Sequence, residues 1–166
     1  MIPSTQLASY LGALGISVER SADGGIDFIA PRGEVTPALR ALMTARAGEL
    51  ADAIGAEPSP RWQTDVRDLY RSMVSVLVEL GAPPAAAAEY AITIVHGLAH
   101  DRVVCPSLCS ALELGSQRYI EIAQAHFGYP GFRSRADDIQ VAKILIRSVA
   151  VRIADELRAE SKAVQS

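Results

Sequence analysis

The stretch ISVERSADGGIDF, residues 16–28, decides the fold of the first third of this chain. Ile16 and Val18 alternate with polar residues, as do Ile26 and Phe28, and between them lie Ser21, Ala22, Asp23, Gly24 and Gly25. Period-two alternation on both sides of a glycine-rich turn predicts a β-hairpin, because glycine takes the positive φ that a tight turn needs. Upstream, Leu7, Tyr10, Leu11 and Leu14 fall at helical spacing between Thr5 and Leu14, with Gly15 as terminator. Downstream, Pro31-Arg32-Gly33 ends the hairpin. Thr36-Pro37 then starts a helix, a hydroxyl N-cap followed by a residue that loses no amide hydrogen bond there. Leu39, Leu42 and Met43 give that helix an apolar face, and Gly48 breaks it before a short helix carrying Leu50 and Ile54. The expected order over residues 4–55 is αββαα.

Residues 56–61, set off by Pro58 and Pro60, read as a linker. Beyond them the pattern is helical throughout, over residues 62–162. Trp62, Val66, Leu69, Met73, Val76, Leu77 and Leu80 form one apolar seam. Gly81-Ala82-Pro83-Pro84 stops that helix and opens another, Ala85 to His100. A third is expected from Ser107 to Phe127, weakened or split at Gly115. The turn at Gly128-Tyr129-Pro130-Gly131 leads into a long helix from Ser134 or Arg135 to about Glu160. The last helix is apolar on more than one side, so it either lies at the centre of its bundle or also covers a partner. The fold class expected is an α+β N-terminal unit followed by an all-α bundle of about four helices, mainly α overall.

Composition supports a packed helical core: of 166 residues, 49% are hydrophobic and only 5% aromatic, so small and branched side chains must fill the interior. Nineteen acidic residues against 16 basic ones give a net charge of −3, without the basic excess of a phosphate-binding surface. No basic-then-apolar leader opens the chain, and Lys143 and Arg147 interrupt the apolar run from Val141 to Val151. A cytoplasmic location with no membrane contact is therefore expected. Cys105 and Cys109 are expected to be reduced thiols.

The N-terminal arrangement resembles the docking domain at the start of some bacterial non-ribosomal peptide and polyketide synthetase subunits, the type named after tubulysin synthetase. The likeness is carried by Leu7, Leu11, Leu14, Gly15-Ile16, Gly24-Gly25-Ile26-Asp27-Phe28 and Ala30-Pro31-Arg32-Gly33. It continues with Val35-Thr36-Pro37-Ala38-Leu39-Arg40, then Leu42, Arg46 and Leu50. The resemblance implies a helix–hairpin–two-helix unit, often dimeric, whose exposed hairpin edge accepts a short partner segment. The physical reason holds without the family: a two-stranded hairpin leaves unpaired backbone groups that an extended peptide can satisfy. Two departures stand out. No condensation or ketosynthase-like region follows. The hairpin mixes Glu19, Arg20, Asp23 and Asp27, so it lacks the basic surface that would suit an acidic tail.

The function expected is that of a non-catalytic interaction adaptor, bacterial or from a mobile element. Its hairpin binds a protein partner through Ile16, Val18, Arg20, Ile26, Phe28 and Arg32, while the helical part forms a homo-oligomer or binds a second partner. A DNA-binding transcriptional regulator is the alternative. Tyr119 to Phe127 and the following helix loosely match a helix-turn-helix, with Arg133, Arg135, Lys143 and Arg147 as phosphate contacts. Asp137 and Asp138 would oppose that contact, and Ile139, Val141 and Ile144 give the helix a buried character. A zinc site is a further alternative. His96 and His100 stand four apart, as do Cys105 and Cys109, and imidazole with thiolate suits zinc. Glu89 and Thr93 share the histidines' stripe. Cys-x3-Cys is not a common zinc spacing, so the thiols read first as small packing residues, and no cofactor is expected. Ser107, Cys109 and His100 are near in sequence, but no nucleophile elbow, phosphate loop or metalloprotease motif accompanies them.

Overall fold

The computed structural model describes residues 1–128 and 134–166. Helix α1 (Ser4–Ala13) leads into strands β1 (Ser17–Arg20) and β2 (Ile26–Ile29), followed by α2 (Pro37–Ala45) and α3 (Ala47–Asp52). The order αββαα is the one the hairpin stretch and its flanking helices predict. Thr36 caps α2 by accepting from the Leu39 amide at 3.2 Å, and Pro37 occupies the first helical position. Gly15 and Gly24, at φ 77° and 88°, supply the left-handed turns on either side of β1.

The remainder holds α4 (Thr64–Glu79), α5 (Pro84–Leu98), α6 (Cys105–Ala111), α7 (Ser116–Phe127) and α8 (Arg135–Gln165). The helix expected from Ser107 to Phe127 is therefore two helices, and the bundle has five among the described residues. The chain breaks at 112–115, where Glu113 takes a left-handed φ of 57° and Gly115 caps α7. Helix α5 ends at Leu98 rather than His100, which removes His100 from the helical stripe it was expected to share with His96. No helix among the described residues is long and apolar enough to cross a membrane.

Helix α8 lies inside the bundle, packing on α4, α5, α6 and α7, and buries Ile139, Val141, Ala142, Leu145, Ile146, Ala150, Ile153 and Ala154. Most of its wide apolar stripe is taken up by internal packing, while Val151 is 60% exposed. Helix α5 buries Ala87, Ala88, Ala91, Ile92 and Val95 completely, and these small side chains let α2, α4, α6 and α8 all approach it. Through the α2–α5 contact one hydrophobic core runs from Leu7 to Leu157.

Residues 56–63 form a strap along α1. The Ser59 amide donates to Ser9 O at 3.0 Å and the Trp62 amide to Ala13 O at 2.9 Å. Two buried ionic clusters tie the same halves. Glu34 accepts from Arg67 at 2.8 Å and Arg71 at 2.9 Å. Arg46 pairs with Glu49 at 2.6 Å and with Glu89 at 3.1 Å, and Glu89 also accepts the Ile2 amide at 2.8 Å.

Candidate functional site: the open edge of the hairpin

The register pairs Ser17 with Ile29, Val18 with Phe28, Glu19 with Asp27 and Arg20 with Ile26. At the turn, the Ser21 amide donates to Gly25 O at 3.1 Å. Antiparallel ladders alternate bonded and non-bonded pairs, so Glu19–Asp27 and Ser17–Ile29 are the bonded ones. The N–H and C=O groups of Ile26 and Phe28 consequently point away from β1. No hydrogen bond to them from another group occurs among the described residues. Strand β1 has α1 and α3 packed against it, whereas no helix packs comparably on β2. Val18 and Arg20 likewise turn their backbone groups outward from β1, on the side that α1 and α3 approach, so the outer edge of β2 is the less covered of the two.

Side chains divide by face. Val18, Ile26 and Phe28 are half-buried and pack on the core, with Arg20 exposed at the rim of the same face. Ser17, Glu19, Asp27 and Ile29 form the outer face, and Ile29 is 53% exposed there. Ile16, expected in the partner surface, is only 2% exposed; its amide bonds back to Leu11 O and its side chain belongs to the core. Arg32 is exposed in the turn after β2. Asp23 holds the tip, accepting from the Ser21 hydroxyl and, at 3.0 Å, from the Gly25 amide, and these bonds lower its pKa. Of the residues expected at a partner surface, Arg20 and Arg32 are exposed, Val18, Ile26 and Phe28 are half-buried, and the backbone groups of Ile26 and Phe28 point outward. Sequence reading missed the outer-face residues Glu19, Asp27 and Ile29 as a group, because the register that aligns them depends on the turn's exact length.

The four zinc candidates take separate roles. The His96 ring stacks on Tyr10 with centroids 3.8 Å apart, and burial followed by the nearby His100 charge lowers its pKa. His100 is exposed beyond the end of α5. Cys105 is fully buried and its thiol donates to Asp138 O at 3.0 Å; burial pushes its pKa, and that of Cys109, upward. Among the described residues no three His, Cys, Asp or Glu side chains converge as a metal set. Glu89, on the histidine stripe, is engaged by Arg46 and its carbonyl by the Thr93 hydroxyl. Ser107 is exposed, while Cys109 is 3% exposed with its thiol held protonated, the reverse of a thiolate nucleophile's surroundings.

Of the phosphate-contact candidates, Arg135 bonds Asp65 at 2.5 Å and the Asp101 carbonyl. Lys143 is half-buried, Arg147 is exposed, and Arg133 lies outside the described residues, as does most of the preceding turn. Asp138 is 1% exposed and accepts the Val104 amide, and the Cys105 amide at 3.2 Å, so it caps α6 from a neighbouring helix. In the first turns of α8, Asp138, Ile139, Val141 and Ala142 face the core.

No protein-family model, no curated protein and no solved structure matches this chain.

Proposed function

We propose that this protein is an interaction adaptor that captures an extended peptide segment by strand addition to β2. The observation that carries this reading is the pair of outward backbone edges at Ile26 and Phe28, on the strand that the helices approach less closely than β1. An added strand supplies main-chain hydrogen bonds there, and the exposed side chains of Asp27, Ile29, Arg20 and Arg32 surround it. The resemblance to synthetase docking domains supports the same use of the hairpin. Duplex DNA as the ligand draws less support, since Arg135 is already satisfied by Asp65 and Asp101.

The test uses peptides selected from a random display library on the full chain, followed by amide hydrogen exchange. In the free protein the Asp27 and Ile29 amides, paired to β1, are expected to exchange slowly, and those of Ile26 and Phe28 fast. On peptide binding the Ile26 and Phe28 amides are expected to slow by roughly tenfold or more, with Asp27 and Ile29 little changed. Peptide binding that leaves Ile26 and Phe28 exchange untouched would contradict strand addition.

A further inference from the structure

We infer that the segment captured by β2 carries a lysine or arginine two residues away from an aliphatic side chain. This inference rests on the strand-addition reading and adds the chemistry of the partner. Glu19 and Asp27 sit directly opposite each other on the outer face of the hairpin, both exposed. Like charges in that position repel. Neither has an ion pair among the described residues; Glu19 only accepts from the Ser17 hydroxyl at 3.5 Å. Arg20 projects from the opposite face, and Arg32 lies beyond the strand. The repulsion between Glu19 and Asp27 therefore has no internal remedy.

A strand added to β2 places its own side chains beside Asp27 and Ile29, two positions apart on one face. A basic side chain beside Asp27 reaches both carboxylates and removes the repulsion. An aliphatic side chain beside Ile29 covers the one large apolar side chain exposed on the hairpin among the described residues. An antiparallel segment reads aliphatic-x-basic and a parallel one basic-x-aliphatic. A second copy of the chain is a poorer occupant. Pairing Ile26 with Phe28 of the copy sets Asp27 against Asp27 with a Glu19 outside each. Shifting to Phe28 on Phe28 places Ile29 beside Asp27 and leaves every carboxylate unpaired.

The library selection is repeated on the unaltered chain and on Asp27→Lys, a change at an exposed site that turns the cross-strand repulsion into an attraction and should not disturb folding. Segments that protect the Ile26 and Phe28 amides of the unaltered chain are expected to carry Lys or Arg two residues from Val, Ile or Leu. Asp27→Lys should weaken them about fivefold at low salt and less at high salt, and exchanging their basic residue for Glu should restore binding to the variant. If such segments protect the two amides but show no basic preference, or bind Asp27→Lys equally well, this inference falls while strand addition stands. If no segment protects those amides, both fall. Concentration-dependent protection without any peptide would make a second copy the occupant and overturn the basic-segment inference.

Discussion

Asp138 occupies a position on α8 that, four and seven residues before Ala142 and Leu145, belongs to the buried face, and it is 1% exposed. A carboxylate survives there because α6 begins opposite it. The Val104 and Cys105 amides have no partner within their own helix, and the carboxylate takes both. Asp138→Ala would leave two buried donors unpaired, a loss of about 2–3 kcal/mol, whereas Asp138→Asn, with one acceptor oxygen, should lose about half of that. Urea denaturation of the two variants measures the difference; a loss in Asp138→Ala with none in Asp138→Asn would mean that side-chain volume matters more than the cap. The sequence marks this residue's burial by its spacing from Ala142 and Leu145. It does not reveal the cap, because the helix that needs capping starts 33 residues earlier. As a sequence feature Asp138 looked like an obstacle to phosphate; in the fold it is an anchor between α6 and α8.

At the scale of elements, glycine and proline made most of the first third legible, except that α2 and α3 part at Arg46 and not at Gly48, which lies inside α3. Gly15, Gly24-Gly25, Pro31 and Thr36-Pro37 each have a local backbone reason to sit where an element starts or stops, so α1, the hairpin and α2 follow from short-range chemistry. The break between α6 and α7 was only half legible, since the left-handed residue there is Glu113 rather than Gly115. The strap was not legible at all: two prolines announce the end of periodicity, without saying where the irregular chain goes. It lies on α1 at Gly12, where an added Cβ would collide with the Pro58 side chain and come within 2.8 Å of its Cα. Gly12→Ala is otherwise a substitution that favours a helix. Here it should destabilise the protein by about 1–3 kcal/mol, because backbone on the far side must move and take the Ser59 and Trp62 hydrogen bonds with it. Thermal unfolding checks the sign, and a gain in Tm would show that the strap yields freely.

Periodicity tells which face of a helix is buried and stays silent about what covers it, so the sequence suggested a boundary at 56–61 where the structure has a continuous core. Helix α2 packs on α5, Glu34 is held by two arginines of α4, and Arg46 meets Glu89 of α5. Unfolding the first 55 residues alone would expose the α2 face of α5, with Ala87, Ala88 and Ala91, and strand the buried Glu34 and Arg46 charges' partners in an opened interface. The two halves are therefore expected to unfold in one cooperative transition. Trp62 is the natural reporter at the junction. Its amide is bonded to Ala13 O on α1, while its ring is 5.9 Å from that of Tyr70 on α4 and 6.3 Å from that of His96 on α5. Far-UV circular dichroism follows the helices as a whole. Coincident urea midpoints for Trp62 fluorescence and circular dichroism are the expected outcome. A fluorescence change at lower urea than the helical signal would mean that the hairpin unit detaches first. In that case strand capture at β2 would act on a loosely held unit, and the α2–α5 contact would be weaker than its buried surface implies.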